Sequence, residues 1–341
     1  MDSKYLITGG TGFIGAAVVR RLVAEGAHVR VLDNSYRGRP QRLAGMWSDV
    51  ELVDADIREA DAVGRAVRGM DHVVHMAYIN GTELFYQYPE LVLDVGTRGM
   101  LNVLDACRTH GVGQLTLTSS SEVYQTPPSI PTPEDVPLVV PDVLNPRYSY
   151  GGGKLISELL AINWGRSGFE RVMICRPHNV YGPDMGWRHV LPQLILRILN
   201  QMDEHSTGPL PLLVRGSGEQ SRAFIHIDDF TEGMATMLRH GRHLHVYNIG
   251  NPEEIQIREV VHRIGVHLGR VVELQASEPP RGETQRRCPD ISRLRSLGFE
   301  PHISLYAGLP SVIEWYRENR HRCDEQMSHP PADHDPATYS W

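Results

Sequence analysis

The segment Thr8-Gly9-Gly10-Thr11-Gly12-Phe13-Ile14-Gly15 constrains this chain more than any other. It follows an apolar run, Tyr5-Leu6-Ile7, and opens a helical pattern from Phe13 to Ala24. Gly9, Gly12 and Gly15 let the chain turn tightly, let backbone N–H groups approach an anion, and let the helix pack close to the strand. The helix N-terminus adds a partial positive charge aimed at the same place. The unit is suited to a pyrophosphate. The competing reading is a tight strand–helix turn that holds nothing.

The same alternation continues. His28 to Leu32, Val50 to Val53, His72 to Met76 and Gln114 to Thr118 read as strands, with a long helical stretch from Pro89 to Thr109 among them. Continuous apolar strands separated by helices predict a parallel sheet covered on both faces. The expected fold is therefore α/β, a doubly wound Rossmann-type parallel sheet of about seven strands with a smaller C-terminal lobe. After Met173-Ile174-Cys175 the pattern loosens and prolines accumulate. We expect residues 1–176 to form the nucleotide-binding domain, with later segments near 215–250 returning to it. Residues 177–321 are expected to form mainly the second lobe, and 322–341 a disordered tail. The 341 residues suffice for this arrangement, and 41% hydrophobic with 22% charged residues is ordinary for a globular protein.

Composition also excludes. No apolar run reaches 18 residues, so no membrane partner is expected. No signal-peptide pattern precedes the first strand, which makes a cytoplasmic location the expectation. Cys107, Cys175, Cys288 and Cys323 form no CxxC pair and read as incidental thiols, and no metal site is expected. A net charge of −7 offers no basic field for nucleic acid. An anionic ligand must be held by local arginines and backbone amides.

Asp33 ends the second strand. A carboxylate there accepts ribose hydroxyls and repels a 2′-phosphate, so NAD is favoured over NADP, although Arg37 stands nearby. Asp56-Ile57 follows the third strand. Asp56 is placed to bond an adenine amino group with Ile57 on the ring, or to cap the helix starting near Glu59.

Tyr150-Gly-Gly-Gly-Lys154 sets a phenol and an ammonium one helical turn apart. A cation beside a tyrosine favours the phenolate and makes a base usable near neutral pH. Three glycines inside a presumed helix cost roughly 1 kcal/mol each against alanine. Broken local rules of this kind concentrate at functional sites, and small side chains let a cofactor or a neighbouring element approach. Upstream, the hydroxyls of Ser119-Ser120-Ser121 sit at the carboxyl end of a strand, where open α/β sheets bind ligands.

Together these residues resemble the extended short-chain dehydrogenase/reductase family, in particular its NAD-dependent nucleotide-sugar epimerases, dehydratases and decarboxylases. The resemblance runs from the glycine motif to about Leu309. It implies Ser120 as the catalytic hydroxyl of a Ser-x-x-Val-Tyr motif, Tyr150 as general base and Lys154 as its partner and a cofactor ligand. Phe13, Ile14, Asn34, Ala77 and Pro177 fall with the glycines among the implied NAD-lining residues. In Arg176-Pro177-His178-Asn179-Val180-Tyr181-Gly182-Pro183, Asn179 would meet a nucleotide-diphosphate sugar, as would Ser121; His178 is a candidate for the same contact, with a packed histidine the favoured reading. Arg222 and Arg281 resemble pyrophosphate-binding arginines, whose forked donors suit a diphosphate. Arg287 resembles a decarboxylase arginine, and Glu122 a catalytic glutamate of dehydratases and decarboxylases. A homodimer is implied too, through helices near 89–109 and 148–166.

The implied chemistry begins with oxidation at the sugar C4 to a 4-keto intermediate. The lead expectation is epimerisation through that ketone. A 4,6-dehydratase or a uronic acid decarboxylase is the alternative, motivated by Glu122, and a non-catalytic NAD sensor is a remote one. Ser121 stands where the commonest dehydratases have aspartate. Asp94 replaces a usual asparagine, and Gln125 a usual glycine.

Overall fold

The computed structural model describes residues 3–205, 207–278 and 285–323. The chain opens with β1 (Lys4–Thr8), α1 (Phe13–Ala24), β2 (His28–Leu32), β3 (Val50–Val53), α2 (Ala60–Val67) and β4 (His72–His75). Next come α3 (Thr82–Gln87), α4 (Pro89–His110), β5 (Gln114–Thr118), α5 (Tyr148–Gly165) and β6 (Arg171–Pro177). After these follow β7 (Val180–Tyr181), α6 (Val190–Glu204), β8 (Leu210–Arg215), β9 (Ser221–Ala223), β10 (Ile225–His226), α7 (Ile227–His240) and β11 (His245–Ile249). The last are β12 (Glu254–Gln256), α8 (Ile257–His267), β13 (Val272–Ser277), β14 (Arg286–Arg287), α9 (Ser292–Arg295) and α10 (Leu305–Asn319).

Seven strands form one sheet in the order β11-β6-β5-β4-β1-β2-β3, every neighbouring pair parallel. This is the doubly wound sheet expected from the sequence. Its inner strands are buried on both faces, as His72–His75 shows at every position, so each is largely apolar and its buried histidines must find hydrogen-bond partners. One core packs α2, α4 and α5 on one face, and a second packs α1 and α7 on the other. A third core gathers α6, α8, α10 and β8 beyond the sheet. The strand expected over His72–Met76 ends at His75, and the remaining expected ends move by a residue or so.

Two features place the site. β1 has β2 on one side and β4 on the other, so the strand order reverses there and a crevice opens at the carboxyl ends. β14 pairs with β9, setting Arg287 beside Arg222, and Thr132 bridges to Pro289. These pairings bring residues 286–289 over that crevice. Among the described residues no helix is long and apolar enough to cross a membrane. The four cysteines are free.

Candidate active site

A cavity of about 1410 Å³ follows the carboxyl ends of the strands. That exceeds what one drug-sized ligand fills and suits two ligands end to end. Gly9, Gly12, Phe13, Ile14, Gly15, Asp33, Asn34, Asp56, Ile57, Ala77 and Pro177 all line it. Gly9 adopts φ +74°, and a Cβ there would lie 2.7 Å from Ala77 N. Only glycine permits both the turn and the contact between the first and fourth strand ends. Gly12 caps α1 without any side-chain acceptor, so the first helical N–H groups remain available to an anion. That is the fit a dinucleotide pyrophosphate requires.

Asp33 does more than its position predicted. Its Oδ2 accepts from Thr11 N at 2.9 Å and its Oδ1 from Ser35 N at 2.9 Å, which fastens the glycine turn to the end of β2. Asp56 is gripped by Arg58, with Nη2 at 2.7 Å and Nε at 3.0 Å, and by Asn34 Nδ2 at 3.1 Å. Burial favours the neutral acid at Asp56, but Arg58 prevails and holds the carboxyl below its usual range. The helix-cap alternative for Asp56 is corrected: α2 starts at Ala60 with Glu59 at its cap, while Asp56 accepts from Arg58 N at 2.8 Å.

Ser120, Glu122, Tyr150 and Lys154 line the same cavity. Ser120 ends the β5 crossing and caps a short 3₁₀ turn, Ser121–Tyr124, accepting from Glu122 N at 3.1 Å. The Tyr150 ring stacks on Phe85 at 4.8 Å and meets Tyr78 edge-on at 5.2 Å. Lys154 Nζ donates to Thr118 O at 2.7 Å and lies 3.9 Å over the Tyr78 ring, but 6.0 Å from the Tyr150 ring centroid. The expected electrostatics are therefore corrected. Burial pushes the Tyr150 phenol up to about 12, against a hydrogen bond with Ser120. Burial also brings Lys154 down to about 7. Without ligands, desolvation outweighs the attraction expected between the two.

The glycine triplet of α5 makes room for protein. A Cβ on Gly151 would meet Glu122 O and the Gln125 side chain, and one on Gly153 would overlap the Tyr78 hydroxyl. Gln125 has φ +47°, a left-handed backbone that explains why glycine is usual there.

At the far end, Arg287 Nη1 donates to Glu122 Oε1 at 2.6 Å. Burial works against the Glu122 charge, yet Arg287 first, then Arg147 and Arg222, hold its carboxyl below the ordinary value. Ser121 and Asn179 line the cavity beside them, with Asn179 Nδ2 tied to Ala223 O at 2.8 Å.

Two candidate substrate residues do not reach the lining, and for His178 the packed alternative holds. His178 is buried, with Nε2 3.1 Å from Asn248 Oδ1, and burial drives it down to about 3, so it is a neutral packed histidine. Arg222 turns along its own strand, Nη1 donating to Ser221 O at 2.8 Å. Arg281 and most of the expected tail, residues 324–341, lie outside the described residues.

The sequence reading also missed several groups. Tyr78 and Phe85 line the cavity, and so does Arg37, which the sequence offered only as a possible partner for a 2′-phosphate. Under its floor, Glu158 receives Arg176 Nε at 2.9 Å and Nη2 at 2.6 Å, and Ser119 Oγ at 2.5 Å. Arg176 Nη1 continues to Tyr124 Oη at 2.8 Å, which donates to Asn248 Oδ1 at 2.7 Å. This buried chain fixes the strand end that carries the serines. The spacing of Glu158 four residues after Lys154 was its one signal.

A family model described as the NAD dependent epimerase/dehydratase family matches residues 5–250. The chain belongs to that family. As a member it is an enzyme, and NAD is its cofactor. The UDP-N-acetyl-alpha-D-glucosaminuronate decarboxylase of Bacillus cytotoxicus is 29% identical over 93% of this chain and 99% of its own. The dTDP-glucose 4,6-dehydratase DesIV of Streptomyces venezuelae, solved with NAD and TYD bound, superimposes with a TM-score of 0.82. It is 31% identical, over 93% of this family member and 98% of its own chain. The UDP-glucose 4-epimerase of Thermus thermophilus, solved with NAD, gives a TM-score of 0.80 at 26% identity, over 92% and 99% of the two chains. Family members similar to this one thus include decarboxylases, dehydratases and epimerases.

Proposed function

We propose that this enzyme oxidises C4 of a nucleotide-diphosphate sugar carrying a C6 carboxylate, and then releases that carboxylate as carbon dioxide. The Glu122–Arg287 pair carries the reading. A simple 4-epimerase needs no charged pair beyond the phenol and the hydroxyl, whereas a decarboxylase needs a cation for the substrate carboxylate and a group to reprotonate carbon.

Bound NAD supplies a reversible hydride acceptor for C4. Tyr150 takes the proton of the C4 hydroxyl and Ser120 shares the charge growing on that oxygen. Burial alone keeps the phenol protonated, so Tyr150 acts as a base once positive charge stands beside it. Arg287 receives the C6 carboxylate in its forked donors. Glu122 then loses its share of Arg287 while still buried, its proton affinity rises, and with a proton taken up from water it becomes able to protonate C5. The C5–C6 bond breaks, its electron pair passes into the C4 carbonyl, and the resulting enolate is held by Tyr150 and Ser120. Protonation at C5 restores the ketone, which is reduced back at C4, so the cycle is redox-neutral.

Residues 1–176 with the later returning segments would hold the dinucleotide, and 177–321 mainly the sugar nucleotide. Epimerisation at C4, the lead expectation from the sequence, is the second reading, favoured by Ser121 in place of a second acid. Mass spectrometry after incubation with UDP- and dTDP-linked hexoses and uronates separates them. Loss of carbon dioxide from a uronate is expected; loss of water, or isomerisation at unchanged mass, rejects the proposal.

We infer also that two copies pair through α4 and α5, which pack together and leave Leu93, Ile156 and Leu159 exposed. Light scattering at micromolar concentration is expected to give a dimer mass, and a monomer mass rejects the pairing.

A further inference from the structure

The loop after β2 carries several arginines, and the carboxylates nearby are divided among them unevenly. Arg39 and Arg42 share Asp184, with Arg42 Nε 2.9 Å from its Oδ2. Arg188 takes Glu83, and Arg58 takes Asp56 and Asp94. Asp33 is committed to Thr11 N and Ser35 N. Among the described residues Arg37 has no ion-pair partner, and its Nη1 is buried without a hydrogen bond. Burial lowers its proton affinity, and the nearby Arg188 adds to the effect. Burying an unpaired guanidinium is costly, and a fold tolerates it where an anion is due to arrive.

The place of that anion follows from the topology. Arg37 Nη1 lies 2.8 Å from where a Cβ on Gly81 would sit, and Gly81 follows β4. The side chain therefore reaches from the β2 loop to the β4 loop. β1 lies between those strands, so it crosses above the end of β1, where the glycine turn presents its N–H groups. Arg39 N donates to Thr11 O at 2.9 Å, which ties this loop to the turn itself.

We propose that Arg37 is a ligand of the bound dinucleotide's diphosphate, closing on it from the side opposite the glycine turn. The proposal rests on the NAD reading of the cavity. It makes the cofactor anion doubly held, by helix N–H groups beneath and by a guanidinium above. The sugar-nucleotide diphosphate offers the same chemistry, but Arg287 stands at the other end of the cavity, beside Glu122.

Isothermal titration of the ligand-free full chain with ADP-ribose, UDP and dTDP separates these sources. R37M is expected to weaken ADP-ribose by about 10- to 100-fold, R37K to recover part of the loss, and neither to alter UDP or dTDP. The ligand-free melting temperature of R37M is expected to equal or exceed that of wild type, because an unpaired buried charge has been removed. Unchanged ADP-ribose affinity in R37M overturns the assignment. So does a loss falling on UDP or dTDP, or a lower ligand-free melting temperature with R37K equally impaired. Failure of the wild-type chain to bind ADP-ribose would overturn the cofactor reading instead.

Discussion

Tyr150 and Glu122 share one cavity and face opposite demands. The phenol must become easier to deprotonate than burial allows, and the carboxyl harder than Arg287 allows. Substitution separates the two. Y150F is expected to slow C4 oxidation by about 10²- to 10⁴-fold, read as reduced-cofactor absorbance in a single turnover, without changing ADP-ribose affinity. E122Q is expected to leave that first step within a few-fold and to stall later chemistry, so that a 4-keto sugar accumulates. Equal loss of both steps in E122Q would remove its assigned role. These residues were legible in the sequence because each belongs to an ordered motif. The direction of the Tyr150 shift was not, because the reading weighed a charge four residues away and had no measure of desolvation. Tyr78 was hidden, and the place of Arg37 in the cavity unread, for a related reason. A lone arginine or tyrosine outside a motif takes its meaning from what folds over it.

Among elements, the α4–α5 packing is the most sharply constrained. Gly96 and Gly153 face the Tyr78 ring from two helices, and a Cβ on either would overlap it. The overlaps differ in kind. At Gly153 only the hydroxyl is in the way, the next Tyr78 atom lying 3.5 Å off, whereas at Gly96 ring carbons also intrude. G153A is expected to destabilise by about 1–3 kcal/mol, and Y78F to rescue it, with the alanine's helical preference then adding to stability. G96A is expected to stay destabilised in the Y78F background. Urea denaturation of the two double mutants checks this, and equal rescue of both would show that the ring moves freely. The first six strands were legible as apolar runs, most of them buried on both faces, with β3 half-exposed at the sheet edge. The two-residue strands β7, β10 and β14 were not, since so short a run carries no periodicity and exists only through its partner.

For the molecule as a whole, three histidines set an acid limit. His72, His75 and His178 are buried, and burial drives each down to about 3. His72 and His75 are held neutral against Thr116 and Thr8 at 2.8 Å. Unfolded histidine takes a proton near pH 6.5, and the folded chain refuses it until far lower. Their contribution to stability is therefore complete above about pH 6.5 and is lost as pH falls below it, at roughly 4 kcal/mol per pH unit for three groups. On those terms a folded state worth about 5 kcal/mol is exhausted near pH 5, and one worth about 15 kcal/mol only near pH 3. Melting temperatures taken from pH 8 down to pH 5 are expected to drop steeply below pH 6.5, and a flat profile would contradict it.

The late arrival of β11 at the sheet has a consequence for biogenesis. β6 is sealed on its outer edge by residues 245–249, which leave the ribosome only after β7 to α7 have been made. At roughly 5–20 residues per second, a nascent chain spends several seconds with a bare apolar edge of the kind that recruits other strands. Chaperone occupancy during translation should peak in that interval, and a stop codon placed just after Pro177 should yield aggregate in place of a half-enzyme.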